Sequence, residues 1–143
     1  MRRALSLSIA VCVFLLGACR EPRSVEQFIP GEGPFDFSFS MTDSTATYDF
    51  DLFTRIDASP EDLAALGSLP LAVTWTSPSG QRFTENVFFP LQGKSSFFSR
   101  QVYQPYRAGV SPYEYGEWNV SVFIPVSARV PGMRGMGLVV TKN

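Results

Sequence analysis

Histidine is absent, lysine occurs only as Lys94 and Lys142, and cysteine only as Cys12 and Cys19. Without histidine the usual general base near neutral pH is missing. A serine nucleophile would depend on one of two lysines, and neither sits in a recognisable motif. A formal net charge of -1 leaves no basic excess for a nucleic-acid partner. Nor is there an apolar run of the roughly 20 residues a spanning helix needs, because the stretch 4–16 is too short and carries Ser6 and Ser8. These absences point away from catalysis and cofactors. They leave binding, or structural contact, as the expected work of the chain.

What is present begins with that stretch. Arg2 and Arg3 head it and Leu16-Gly17-Ala18-Cys19 closes it, which reads as a signal peptide over 1–18 ending in a bacterial lipobox. Cysteine is required there because its thiolate takes a diacylglycerol, after which the freed amine takes a third acyl chain. Each buried methylene contributes about 0.8 kcal/mol, so two or three chains anchor firmly where one binds reversibly. Cys12 leaves with the signal and Cys19 is consumed by lipid, so the mature chain is expected to lack any disulfide and to depend on packing. Arg20 lacks the aspartate tied to inner-membrane retention, which favours the outer membrane of a cell envelope.

Residues 19–33 are polar and include Pro22, Pro30, Gly31 and Gly33, as expected of a lipidated tether. The folded domain is expected over 34–143. Phe35, Phe37, Phe39 and Met41 alternate with polar residues, and Tyr48, Phe50, Leu52 and Ile56 repeat the device against Asp49, Asp51 and Arg55. Period two marks strands with one buried face, and the short polar link between them predicts a hairpin. Further strands are expected over 69–76, 83–89, 97–103, 118–124 and 135–141, so about seven strands form an all-β antiparallel sandwich, jelly-roll or Ig-like. Ser59-Pro60-Glu61-Asp62 through Gly67 predicts one short helix, with an N-cap serine, proline at the first position and Leu63 and Leu66 facing in. A loop over 104–117 is the expected recognition surface.

Several residues are candidates for function. Tyr103, Tyr106, Tyr113 and Tyr115 could stack a pyranose ring, whereas Trp75 and Trp118 alternate within strands and belong to the core. Asp43-Ser44-Thr45 matches the acidic-hydroxyl-small acceptor for O-glycosylation of exported proteins in Bacteroidetes, marking Ser44. Asp43, Asp49 and Asp51 lie close in sequence and offer the oxygen ligands calcium takes, but nothing resembles an EF-hand loop and no metal is assigned. Asp49 and Asp51, two apart on a strand, share a face where they keep that face wet. Arg129 and Arg134 flank a corner in which Gly132, Gly135 and Gly137 permit a tight turn and close backbone approach. That corner is expected to be structural first and a partner contact second.

Taken in order, Phe35-Asp36-Phe37-Ser38-Phe39, Asp43, Tyr48-Asp49-Phe50-Asp51-Leu52 with Arg55, Leu69-Pro70-Leu71, Tyr115-Gly116-Glu117-Trp118 and the run Val130-Pro131-Gly132 to Val140 resemble the GldH family. The resemblance implies a non-enzymatic lipoprotein of the Bacteroidetes gliding machinery, associated with type IX secretion, with other envelope proteins as partners. It supplies no catalytic residue. The chain departs from the family where Ala128-Arg129 is followed almost at once by Pro131-Gly132, and the region after Phe97 is weakly matched. The alternative is a lipid-anchored carbohydrate-binding sandwich feeding a glycan-uptake system. Mass spectrometry of the chain purified from native membranes is expected to find acyl groups on Cys19 at the mature N-terminus, and an unacylated soluble product would refute the lipobox.

Overall fold

A computed structural model describes residues 23–92 and 101–143, so the signal peptide and Cys19 lie outside the described residues. Eight strands form two antiparallel sheets: β1 (Ser24–Pro30), β2 (Phe35–Met41), β3 (Tyr48–Ile56), β4 (Ser68–Thr76), β5 (Arg82–Pro90), β6 (Gln101–Val110), β7 (Gly116–Phe123) and β8 (Met133–Lys142). One sheet has the order β1-β8-β3-β6 and the other β2-β7-β4-β5, which is the all-β sandwich the alternation implied. The helix α1 (Pro60–Leu66) is capped as read, with the Ser59 hydroxyl accepting from the Asp62 N–H at 3.1 Å. Leu63 is buried, but Leu66 is exposed. The expectation for Leu66 therefore fails.

The core is a layer of alternate side chains from the facing sheets. Phe35, Phe37, Phe39 and Met41 from β2 meet Tyr48, Phe50, Leu52 and Ile56 from β3, with Leu69, Leu71, Val73, Val120, Val122 and Leu138 around them. Fully burying a side chain of this size contributes about 1.5–3 kcal/mol, and no disulfide links the two sheets among the described residues.

Three expectations are corrected. First, β2 and β3 do not form a hairpin: β2 pairs with β7, and β3 with β8 and β6. Each carries a largely apolar face, interrupted in β3 by the buried Thr54, whose hydroxyl donates to the Gly135 carbonyl at 2.8 Å. Placing them in opposite sheets points those faces at each other, so that the Phe39 and Phe50 rings lie 5.1 Å apart. Second, part of the presumed tether is strand β1, paired with β8 over its whole length from Ser24↔Thr141 to Pro30↔Gly135. Third, β6 continues to Val110, well into the presumed loop, which leaves 111–115 as the connection. Pro105 is tolerated because β6 is an edge strand, and bulges that insert extra residues in β6 opposite β3 take up the irregularity. The start of the predicted strand 97–103 lies outside the described residues.

The register explains why β1 docks. Phe28, Gly137, Phe53 and Tyr103 form one row across β1, β8, β3 and β6. On the outer face Phe53 stacks against Phe28 at 5.9 Å and Tyr103 at 4.8 Å. The ring lies over Gly137, where an added Cβ would come within 2.0 Å of Phe53 Cζ. At Gly135 it would meet the Ile29 carbonyl oxygen at 2.3 Å. Arg55 closes the row, its guanidinium carbon 4.1 Å from the Phe28 centroid.

Gly135→Val and Gly137→Ala should each lower stability by about 1–3 kcal/mol through overpacking. Combining Gly137→Ala with Phe53→Ala should cost less than the two single changes summed. Strict additivity in chemical denaturation would show that the ring does not need the glycine.

Candidate functional site

The sandwich is open along the seam where edge strands β5 and β6 face each other. Trp75 on β4 reaches this seam from below: its Nε1 donates to the Tyr106 hydroxyl at 2.8 Å, and that hydroxyl donates to Glu85 Oε1 in a short hydrogen bond. Arg107, next along β6, donates to the same oxygen from Nη2 at 2.7 Å and from Nε at 3.2 Å. Burial pushes the Glu85 carboxyl up, but the hydrogen bonds from Tyr106 and Arg107 outweigh it and hold the group below its ordinary value. Burial, then the bond to Glu85, pushes the Tyr106 hydroxyl up to about 12. A carboxylate and a phenol so tuned are locked in their neutral-pH forms, which suits a structural clasp rather than proton transfer.

Beside the clasp lies a groove of about 180 Å³ lined by Met41, Trp75, Phe83, Arg107, Tyr113 and Trp118, among others. Tyr113 sets its edge on Trp118 at 5.4 Å, and its hydroxyl donates to Gln81 Oε1 at 3.3 Å. Flat apolar rings beside a guanidinium and an amide make a surface suited to binding.

The expected contact residues are not brought together. Tyr106 is the half-buried centre of the clasp, and Trp75 and Trp118 are core as anticipated. Tyr113 and Tyr115 are exposed on the connection 111–115 at one pole of the sandwich. Tyr103 belongs to the outer face of the other sheet, stacked on Phe53. Arg129 and Arg134 lie at the opposite pole, where Arg129 pairs with Glu32 at 2.8 Å and Arg134 Nε donates to Asp57 at 2.6 Å. Ser44 is exposed in the turn after β2, where Asp43 Oδ1 accepts from the Thr45 N–H at 2.9 Å and its hydroxyl at 2.7 Å. Asp43 also pairs with Lys142 at 3.0 Å, and Asp49 accepts from the Gly109 N–H at 2.6 Å and from Asn143 Nδ2 at 2.7 Å. Among the described residues no group of three His, Cys, Asp or Glu side chains is placed to hold a metal ion.

A second surface was not anticipated. Phe88, Phe123 and Val126 are 71%, 47% and 70% exposed. Phe88 pairs with Pro70 and Phe123 with Ala72, so both rings stand on the outer face of the β2-β7-β4-β5 sheet. The signal was present: Phe88 and Phe89 are consecutive, and on a strand one of two neighbours must face out.

No family model and no curated protein matches the chain. Among solved structures it is similar to the Aeromonas hydrophila protein PliG, a periplasmic inhibitor of g-type lysozyme, at 11% identity and a TM-score of 0.31, covering 84% of each chain. It is also similar to an arabinose-bound α-L-arabinofuranosidase, MgGH51, at 15% identity and a TM-score of 0.33, covering 83% of this chain and 17% of that one. Similarity at this level carries no argument about activity. No helix among the described residues is long and apolar enough to cross a membrane.

The clasp sets a pH dependence. Because the folded-state value of Tyr106 lies above the ordinary 10.0, its contribution is complete below pH 10 and is lost as pH rises through about 12. The loss should be on the order of 1 kcal/mol, allowing for solvent screening of a partly exposed group. Tyr106→Phe should flatten the melting-temperature profile between pH 10 and 12, and an unchanged slope would remove the clasp from the account.

Proposed function

We propose that this chain is a lipid-anchored envelope protein that works without catalysis, through contact with other proteins of the gliding motility and type IX secretion machinery. The observation that carries this reading is the pair of exposed rings, Phe88 and Phe123, on the outer face of one sheet. Phe88 and Phe123 stand on regular strands of a sheet whose other face already holds the core. Nothing in folding requires large apolar side chains there, and exposed apolar patches rimmed by polar residues mark contact sites. The GldH-like order of motifs, the lipobox and the lack of histidine are consistent with a component of an assembly. The outer membrane is the expected location, through the lipid on Cys19.

A second reading, the lipid-anchored carbohydrate-binding module, is favoured by the groove at the seam, where Phe83 and Tyr113 offer exposed rings beside Arg107 and Gln81. Tyr103 and Tyr106 do not contribute to it as coplanar platforms, since Tyr103 is stacked on Phe53 and Tyr106 is engaged with Trp75 and Glu85.

Crosslinking and pull-down from solubilised membranes should recover gliding or secretion components with the native chain. The Phe88→Ser/Phe123→Ser variant should lose them while its stability stays within about 0.5 kcal/mol of the native value, as for surface changes. Retained partners would exclude the patch. Normal spreading and secretion after gene deletion would defeat the motility reading, and a glycan-array hit without protein partners would favour the second.

A further inference from the structure

The connections of the sandwich divide cleanly between its two poles. At one pole lie 42–47, 77–81 and 111–115, together with the start of β1 at Ser24 and the end of the chain at Asn143. At the other lie α1, the 3-10 turn Val126–Ala128 and the Arg129–Glu32 and Arg134–Asp57 pairs. The chain therefore enters the body at the pole that carries Tyr113 and Tyr115.

Covalent geometry limits how far that pole can stand from an anchor. Cys19 and Ser24 are five residues apart, and an extended chain spans at most about 3.6 Å per residue, so the reach is about 18 Å. The nine-residue strand β3 alone is about 30 Å long at about 3.3 Å per residue. A leash shorter than the body, attached at one end of it, holds that end beside the bilayer.

The surface of that pole fits such a place. Tyr113 and Tyr115 are 69% and 54% exposed, and tyrosine favours the membrane–water interface because its ring is apolar and its hydroxyl stays wet. Phe83 is exposed beside them at the groove mouth. Two carboxylates there are already partnered: Asp43 by Lys142 and Thr45, and Asp49 by Asn143 and the Gly109 N–H. Approach to headgroups thus strands neither of these two charges.

We propose that the pole formed by 42–47, 77–81 and 111–115 lies against the phospholipid surface, with Tyr113 and Tyr115 in the headgroup layer and the opposite pole turned toward partners. The inference rests on the lipid-anchor reading and goes beyond it by fixing which face meets the membrane. It presents α1, Arg129 and Arg134 outward and places Ser44 on the membrane side.

The test uses the processed lipoprotein in vesicles of phosphatidylethanolamine and phosphatidylglycerol doped with a nickel-chelating lipid. Nitroxides are attached one at a time through Ser44→Cys, Tyr113→Cys, Glu61→Cys and Ser127→Cys, with folding checked by melting temperature. Strong relaxation enhancement at 44 and 113 with none at 61 and 127 is expected. Equal enhancement at all four, or the reverse order, would overturn the orientation while leaving the anchor intact. A chain found unacylated at Cys19 and free of the vesicles would instead overturn the anchor and the orientation with it.

Discussion

Trp75 is the contact on which the sandwich depends. From β4 it meets Phe50 of the opposite sheet edge-on at 4.9 Å, Phe39 at 5.9 Å and Trp118 at 6.2 Å, and it stacks on Tyr106 at 6.2 Å while donating to its hydroxyl. Aromatic pairs of this kind add about 0.5–1.5 kcal/mol beyond area burial. With no disulfide among the described residues, the two sheets are joined by side-chain packing and by a few polar links such as this one. The indole nitrogen gives that packing a direction, because an unpaired buried N–H costs about 1–3 kcal/mol. Tyr106 is thereby drawn into the seam, and its bond to Glu85 of β5 ties the two edge strands together along the open side. Trp75 itself both closes the core and forms one wall of the groove, so stability and any binding there share their parts.

Much of this architecture was legible, and the reason is periodicity. The alternation in 35–41 and 48–56 has only one strand reading, and the capping residues around Ser59 have only one helical reading. Pairing was not legible, because alternation says which face is buried and is silent about which strand lies alongside. β2 and β3 therefore looked like hairpin partners when they are facing layers. Strand β1 escaped notice because its own burial is slight: its place comes from the backbone of β8 and from Phe28 on Phe53, both distant in sequence. The extension of β6 was masked by Pro105 and Gly109, residues that usually end a strand but are accommodated at an edge.

The candidate site was less legible than the fold. Tyrosines chosen for being aromatic and far from the core pattern proved to have three separate duties: stacking on Phe53, clasping Glu85, and exposure at a pole. Side-chain chemistry was the same in each case. Register and strand position made the difference, and neither is local. Glu85 and Arg107 were overlooked because they are 22 positions apart and meet only across the seam. Phe88 was legible in principle, since its neighbour Phe89 fills the core position.

The glycine row links these observations to the way the domain is held. A side chain at 135 would collide with the backbone of β1 and one at 137 with the Phe53 ring, so both positions stay bare where β1 pairs along the edge of β8. Strand β1 converts what would be a slack tether into part of the body, leaving only the few residues before Ser24 between the sheet and Cys19. On the proposed lipid anchor, a pull would be borne by the β1–β8 ladder, loaded along the strands so that its hydrogen bonds share the force rather than opening singly. Freely tethered domains tumble and present every face in turn, whereas one clamped this close presents a fixed subset. On that proposal the backbone space at Gly135 and Gly137 bears on orientation as well as stability, although both lie far in sequence from Cys19.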